Sequence, residues 1–170
     1  MQIRFLGLAA LSLLATSTSA FSQGTDACTA FKWPIAREQK AFAASPLKAI
    51  PQGANGLGLS EAAAVQLVPQ AGVTYPVPPA RAAKSNPAYG AVLTMPPIIA
   101  AGIYQATLSD EAWIDLVQDG AKLRFDSFSG KAGCPGVRKS VRFKLAPGPV
   151  TVELSDSAKP SVNLILLPAE

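Results

Sequence analysis

The most regular stretch of the chain runs from Val137 to Leu145. Val137, Val141, Phe143 and Leu145 are apolar there, while Arg138, Ser140, Arg142 and Lys144 occupy the alternate positions. A period of two residues marks a strand with one buried face. Gly102 to Leu108 repeats the pattern, with Tyr104, Ala106 and Leu108 on one face and Gln105 and Thr107 on the other. Ala91 to Met95 is a further strand, closed by Pro96-Pro97, and Trp113 to Gln118 is another. Asp119-Gly120 is a hairpin turn signal leading into Leu123 to Phe128. Pro147-Gly148-Pro149 turns the chain into Val150 to Leu154, and Val162 to Leu167 supplies the closing strand. About seven short strands separated by Gly, Pro and Asp turns predict a mainly β fold: an antiparallel two-sheet sandwich, jelly-roll-like.

Upstream of Tyr89 the pattern is less regular. Residues 28–44 read as a short N-terminal helix, with Trp33, Ala36, Arg37, Lys40 and Ala41 at helical spacings and Pro34 near its start. Pro46, Pro51, Gly53, Gly56 and Gly58 mark an irregular connector. Ser60 to Val68 fits a helix through Glu61 and its alanines, or a strand stopped by Pro69. The strand is preferred because everything downstream is β. Residues 76–88, with Pro76, Pro78, Pro79, Pro87, Arg81 and Lys84, read as an extended, exposed loop, since proline cannot donate to a ladder.

The N-terminus has the form of a removable export signal: Arg4, an apolar run from Phe5 to Ala15, and small residues at Thr18-Ser19-Ala20. The run is shorter than the roughly 20 residues of a membrane span, so no span is expected in the mature chain. The expected organisation is a signal over 1–20, the helix and connector over 21–60, and the sandwich over 61–170. The location that follows is periplasmic or secreted, an oxidising setting in which Cys28 and Cys134 can pair. Such a bridge pins the N-terminal helix to the loop Gly130-Lys131-Ala132-Gly133-Cys134-Pro135-Gly136. For a loop of about 100 residues the chain-entropy model assigns about 4.7 kcal/mol.

The formal charge is +4, which is too mild for a nucleic-acid binder with its dense basic stripe. The sequence implies no nucleic-acid partner. An anionic envelope polymer, a glycan or a protein partner suits a basic exported chain better.

Trp113-Ile114-Asp115-Leu116-Val117 is the segment richest in candidate chemistry. Asp115 shares its strand face with Trp113 and Val117 and therefore needs a cationic or hydrogen-bonding partner. The dibasic pair Arg138-Lys139 is the obvious candidate. Three readings follow: an internal ion pair that fixes strand register; a ligand pocket with Trp113 as stacking platform and Asp115 and Arg138 as polar anchors; or an Asp/Lys acid–base site. Arg138, Arg142 and Lys144, joined by Lys122 and Arg124, form a basic row on one sheet face. That row is a solvated face or a docking surface for an anionic polymer.

Enzyme signatures are missing. The chain has no histidine, so a serine–histidine triad or a histidine-ligated metal has no ligands to use. There is no Gly-x-Ser-x-Gly elbow, no phosphate-binding loop and no metal-ligand cluster. Asp110, Glu111 and Asp115 do not make a defined glycosidase pair. No catalytic, cofactor-binding or metal residue and no cofactor is expected.

Gly102, Tyr104, Trp113-Ile114-Asp115, Asp119-Gly120, Cys134-Pro135-Gly136-Val137-Arg138-Lys139 and Pro147-Gly148 together resemble a group of small exported proteobacterial proteins of unestablished role. The same stretch resembles pre-peptidase C-terminal and carbohydrate-binding-type β-sandwich modules, over roughly residues 89–168. Proteins of this look also carry the label homogentisate dioxygenase-like. That activity implies iron held by histidines and a carboxylate, and there is no histidine here to carry it. The resemblance implies the fold and the compartment, and no catalytic residue. The function expected is a non-enzymatic periplasmic sandwich that binds or supports an envelope component. The alternatives are a carbohydrate-binding module using Trp113 or Tyr104 as its platform, and a histidine-free enzyme using Asp115 with Lys139 or Tyr104.

Overall fold

The structure, a computed structural model, describes residues 26–170. The export signal expected over 1–20 lies outside the described residues. The chain forms two sheets. The larger, sheet A, has the order β1 (Lys48–Ile50), β2 (Ala63–Gln66), β11 (Ser161–Pro168), β5 (Gly102–Leu108), β9 (Lys139–Leu145) and β8 (Phe125–Gly130). The smaller, sheet B, has the order β3 (Val68–Pro69), β4 (Tyr89–Ile98), β10 (Gly148–Ser157), β6 (Trp113–Gln118) and β7 (Ala121–Lys122). All pairings are antiparallel except β1 with β2.

After β2 the chain switches sheets at every step except β3 to β4, the β6–β7 hairpin and β8 to β9. This ordering is jelly-roll connectivity, as the strand pattern predicts. The hairpin turns at Asp119 (φ 53°) and Gly120 (φ 73°), the positive φ pair that a two-residue hairpin turn requires.

The alternation read from the sequence builds the core. Tyr104, Ala106, Leu108, Val141, Phe143, Leu145, Leu164 and Leu166 of sheet A face Ala91, Leu93, Met95, Ile114, Leu116, Val150, Val152 and Leu154 of sheet B. The segment Ser60 to Val68 contains β2, so the strand reading of that ambiguous stretch is the right one.

The helix expected over 28–44 is interrupted. It forms as α1 (Asp26–Thr29) and α2 (Ala36–Ala43), separated by bends from Phe31 to Trp33. Pro34 is the cause, because its ring drives the preceding Trp33 out of the helical region. The break turns Phe31, Trp33, Ile35 and Phe42 onto the outer face of sheet A, against Ile165 and Leu167. Cys28 and Cys134 form the disulfide inside this second cluster, with Cα atoms 4.8 Å apart.

Gln105, Thr107, Ser140 and Arg142 therefore lie beneath a cover where open solvent was expected. Gln105 donates to the buried Glu38 at 2.7 Å and accepts from Arg142 Nε at 3.0 Å. The Arg142 guanidinium lies 4.2 Å from the Trp33 ring centre. Ser140 Oγ accepts from Trp33 Nε1 at 3.1 Å and from Thr107 at 2.9 Å. Most polar groups drawn in by the cover find a partner, as burial demands, while the second carboxylate oxygen of Glu38 has none.

Reduction of the Cys28–Cys134 bridge, or Cys134→Ser, is expected to cost about 2–5 kcal/mol of stability. The fall should appear as a lower urea midpoint. A midpoint unchanged in reductant would show that the N-terminal cover holds without it.

Candidate functional site

The second cover comes from the proline-rich segment. Residues 76–88 were expected to form an exposed loop, but with the preceding Val73 to Tyr75 they lie across the outer face of sheet B as a strap. Val73, Tyr75, Val77 and Pro79 are half-buried, and the residues between them are exposed. Prolines suit this role because a strap needs no ladder, and its few amides are satisfied by carboxylates rising from sheet B. Glu153 accepts from Val77 N at 3.1 Å, and Asp115 accepts from Ala80 N at 3.2 Å. Asp156 accepts from the amides of Lys84 and Ser85, each at 2.8 Å.

Tyr75 donates to the Leu154 carbonyl at 2.9 Å, and its hydroxyl occupies the place where a side chain at position 90 would begin. Only glycine fits at Gly90. Burial, then the nearby Glu153 charge, push the Tyr75 hydroxyl up to about 12.

The carboxylates beneath the strap require cations, and two supply them. Lys122 Nζ lies 2.8 Å from Asp115 and 3.5 Å from Glu153, and also donates to the Pro78 carbonyl. Arg81 pairs with Asp156 at 3.2 Å and stacks 4.2 Å from the Trp113 ring centre. Burial raises the Asp156 pKa, but the amides of Ser85 and Lys84, the Ser85 hydroxyl and the Arg81 charge together outweigh it. The carboxyl is held below its ordinary value.

Asp115 therefore has a partner other than the one expected. Its ion pair is with Lys122 across the β6–β7 hairpin, and it also accepts from Trp113 Nε1 at 3.0 Å. Arg138 and Lys139 share a different carboxylate, Glu111, at 2.5 and 3.2 Å. Lys139 does point inward, as its odd position implies, and donates to the Ala112 carbonyl at 2.7 Å. Burial lowers its pKa and the Arg81 and Arg138 charges act the same way, while Glu111 opposes them.

Trp113 thus stands between two polar systems, with Asp115 on one and Lys139, 5.6 Å from its ring centre, on the other. The structure brings Trp113 and Asp115 together and joins Arg138 to Lys139, but it leaves the two pairs unconnected by any ion pair. The expected basic row is broken. Arg138 is paired with Glu111, Arg142 is folded onto Trp33, Lys122 is under the strap, and of Arg138, Arg142 and Lys144 only Lys144 is exposed.

An apolar cleft of about 200 Å³ opens at this edge of the sandwich, lined by Trp113, Ile114, Phe125, Phe128, Lys139 and Val141. Its origin is a mismatch in sheet width. The ladder sets Phe125 beside Phe143 and Phe128 beside Val141, so both phenylalanines share the inner face of sheet A. Their spacing of three would place them on opposite faces, but the irregularity at Asp126 removes one step of alternation. Sheet B ends at the two-residue β7 and supplies no longer strand to cover them.

Phe125 and Phe128 consequently stand 44% and 53% exposed, edge to face at 5.9 Å. Lys32 approaches to 5.4 Å from the Phe128 ring centre. Tyr104 cannot serve as a platform, being buried with its hydroxyl donating to the Ala100 carbonyl. The open aromatic surface is that of Phe125 and Phe128, which sequence reasoning missed. Arg81 and Glu153 were also not singled out as site residues, and Lys122 was read only as part of the basic row. The Phe-x-x-Phe spacing signals a shared face only to a reader who expects a bulge.

Among the described residues no cluster of acidic and sulfur side chains is arranged to hold a metal ion, and no helix is long and apolar enough to cross a membrane. Comparison of the chain with protein-family models, with curated proteins and with solved structures finds no match.

Lys122→Met leaves Asp115 and Glu153 buried without their cation and is expected to cost about 3–5 kcal/mol. Denaturant unfolding checks this, and a loss under about 1 kcal/mol would show that the strap amides alone satisfy the two carboxylates. Asp156 gives a pH signature. Its depressed pKa contributes stability above the ordinary carboxylate value, and that stability is lost as pH falls through the folded-state value. Melting curves of Asp156→Asn are expected to fall less steeply on the acid side than those of the parent protein, and parallel acid limbs would refute the assignment.

Proposed function

We propose that this protein is an exported, non-enzymatic β-sandwich binding module, periplasmic or secreted, that holds an apolar portion of a cell-envelope component in the cleft beside Phe125 and Phe128. The observation that carries the reading is the overhang of those two rings beyond the edge of sheet B. A cluster of exposed aromatic side chains rimmed by polar residues is what a recognition surface presents. The disulfide and the signal-like N-terminus support export. Most polar side chains of β5, β6, β9 and β10 are engaged within the fold, which favours the aromatic edge as the binding surface. No cofactor enters this reading.

Co-sedimentation of the mature, oxidised protein with purified envelope fractions at low and high salt tests it. Binding is expected to survive high salt in large part, because apolar contact is not screened, and to fall at least ten-fold in Phe128→Glu with the melting temperature retained. Absence of binding at both salts, or full binding by Phe128→Glu, would overturn the proposal.

A further inference from the structure

Taken on its own, β8 has two properties that belong together. One edge pairs with β9 and the other pairs with no strand among the described residues. The remaining sheet edges are blunted in familiar ways. β1 is three residues long and begins at Lys48, β3 is two residues long and contains Pro69, and β7 is two residues long. β8 is six residues long, contains no proline, and carries Asp126 as its single charge. Past the irregularity at Asp126 the β8 ladder runs regularly from Ser127 to Gly130, and beside this open edge lies the exposed Phe125 and Phe128 pair. An open backbone edge with an apolar shelf next to it is the geometry of strand addition, in which main-chain bonds give affinity and alternate side chains give specificity.

We propose that β8 is the docking edge for an extended segment of a partner protein, apolar at alternate positions and flanked by acidic residues, which adds to sheet A as a further strand and lays its apolar side chains on Phe125 and Phe128. The proposal rests on the binding-module reading and names its partner. Charge selects the flanks. Arg124 precedes the strand, Lys131 follows it, and both are exposed, as is Lys32 over the Phe128 ring. Asp126 bonds its own neighbour Ser127, and Glu111 is already engaged by Arg138 and Lys139. The same charges argue against a second copy of this chain. Antiparallel self-pairing over the full strand sets Arg124 of one copy opposite Lys131 of the other at both ends, and like charges directly opposite are destabilising.

The test uses the oxidised mature protein and three synthetic peptides: Glu-Asp-Phe-Thr-Phe-Thr-Asp-Glu, the same core flanked by lysines, and the acidic peptide N-methylated at alternate residues. Titrations followed by amide chemical shifts are expected to show the acidic peptide binding at least ten-fold more tightly than the lysine-flanked one. N-methylation should weaken it at least ten-fold, and the shifts should centre on Phe125 to Gly130. Phe128→Glu should abolish binding. Should that variant misfold, the double variant Arg124→Glu with Lys131→Glu changes only exposed charges and should invert the preference between flanks.

Equal affinity for the two flanks, indifference to N-methylation, or a wild-type dimer that Phe128→Glu dissolves would each overturn the inference. Peptide silence alongside Phe128-dependent sedimentation with envelope fractions overturns the strand-addition inference alone. Loss of both overturns the binding-module reading as well.

Discussion

Two buried carboxylates on the outer face of sheet B, Asp115 and Glu153, share the ammonium of Lys122, and much of this end of the molecule is arranged around that contact. An unpaired buried carboxylate is among the costliest features a fold can carry. Asp115 accepts from Lys122, from the strap amide of Ala80 and from Trp113 Nε1, and Glu153 accepts from the strap amide of Val77 with Lys122 3.5 Å from its other oxygen. The lysine is itself placed by a hairpin. The Asp119-Gly120 turn sets Lys122 opposite Val117, on the face from which its long side chain reaches along β6 to Asp115. The chain then leaves sheet B at once, with Leu123 donating to Leu116 before β8 begins in the other sheet. A two-residue β7 is enough to neutralise the site but too short to cover sheet A. The electrostatic solution on one face and the aromatic overhang on the edge are consequences of the same short strand.

Both sheets bury their outer faces as well as their inner ones, and they do so with segments that have little regular structure of their own. The N-terminal segment is fastened to sheet A by a disulfide and by the contacts of Trp33 with Ser140 and Arg142. The proline strap is fastened to sheet B by carboxylates and by the Tyr75 hydroxyl fitted over Gly90. Proline limits the conformations open to the unfolded strap and so lowers the entropic cost of ordering it. The same composition that reads as a flexible loop serves as a preformed cover once acceptors wait beneath it.

The strands were readable because a period of two survives in the inner face: Tyr104, Ala106 and Leu108 of β5, and Val141, Phe143 and Leu145 of β9, are core residues as their spacing implies. The covers were not readable by that rule, since alternation reports burial on one face only. Two signals pointed to them. Leu164-Ile165-Leu166-Leu167 is a run of apolar residues without alternation, which a strand buried on both faces produces. Gln105 and Thr107 are uncharged where a solvated face would favour charge. The partner of Asp115 was misassigned for a related reason. Lys139 follows the inward parity of its own strand, but that parity places it between the sheets, whereas Asp115 faces outward. Parity within a strand says nothing about which sheet face two strands share.

The distribution of cations separates structure from recognition. Arg81, Lys122, Arg138, Lys139 and Arg142 each meet a carboxylate, a carbonyl or a side-chain amide within the fold. Their charges are largely spent before any partner arrives, which is why the basic row visible in the sequence does not become a basic surface. The exposed charges at Lys32, Arg124 and Lys131 surround a strand whose outer face is held by Ser129 accepting from Lys32 N at 3.0 Å. That bond comes from the disulfide-anchored N-terminal segment, so the segment covering sheet A also holds the edge strand in place. For the strand addition proposed above such support matters, because a strand already fixed in its extended form has less conformational freedom left to lose on binding. On that proposal the disulfide-linked cover and the open aromatic edge act together: the first fixes the backbone that the second offers.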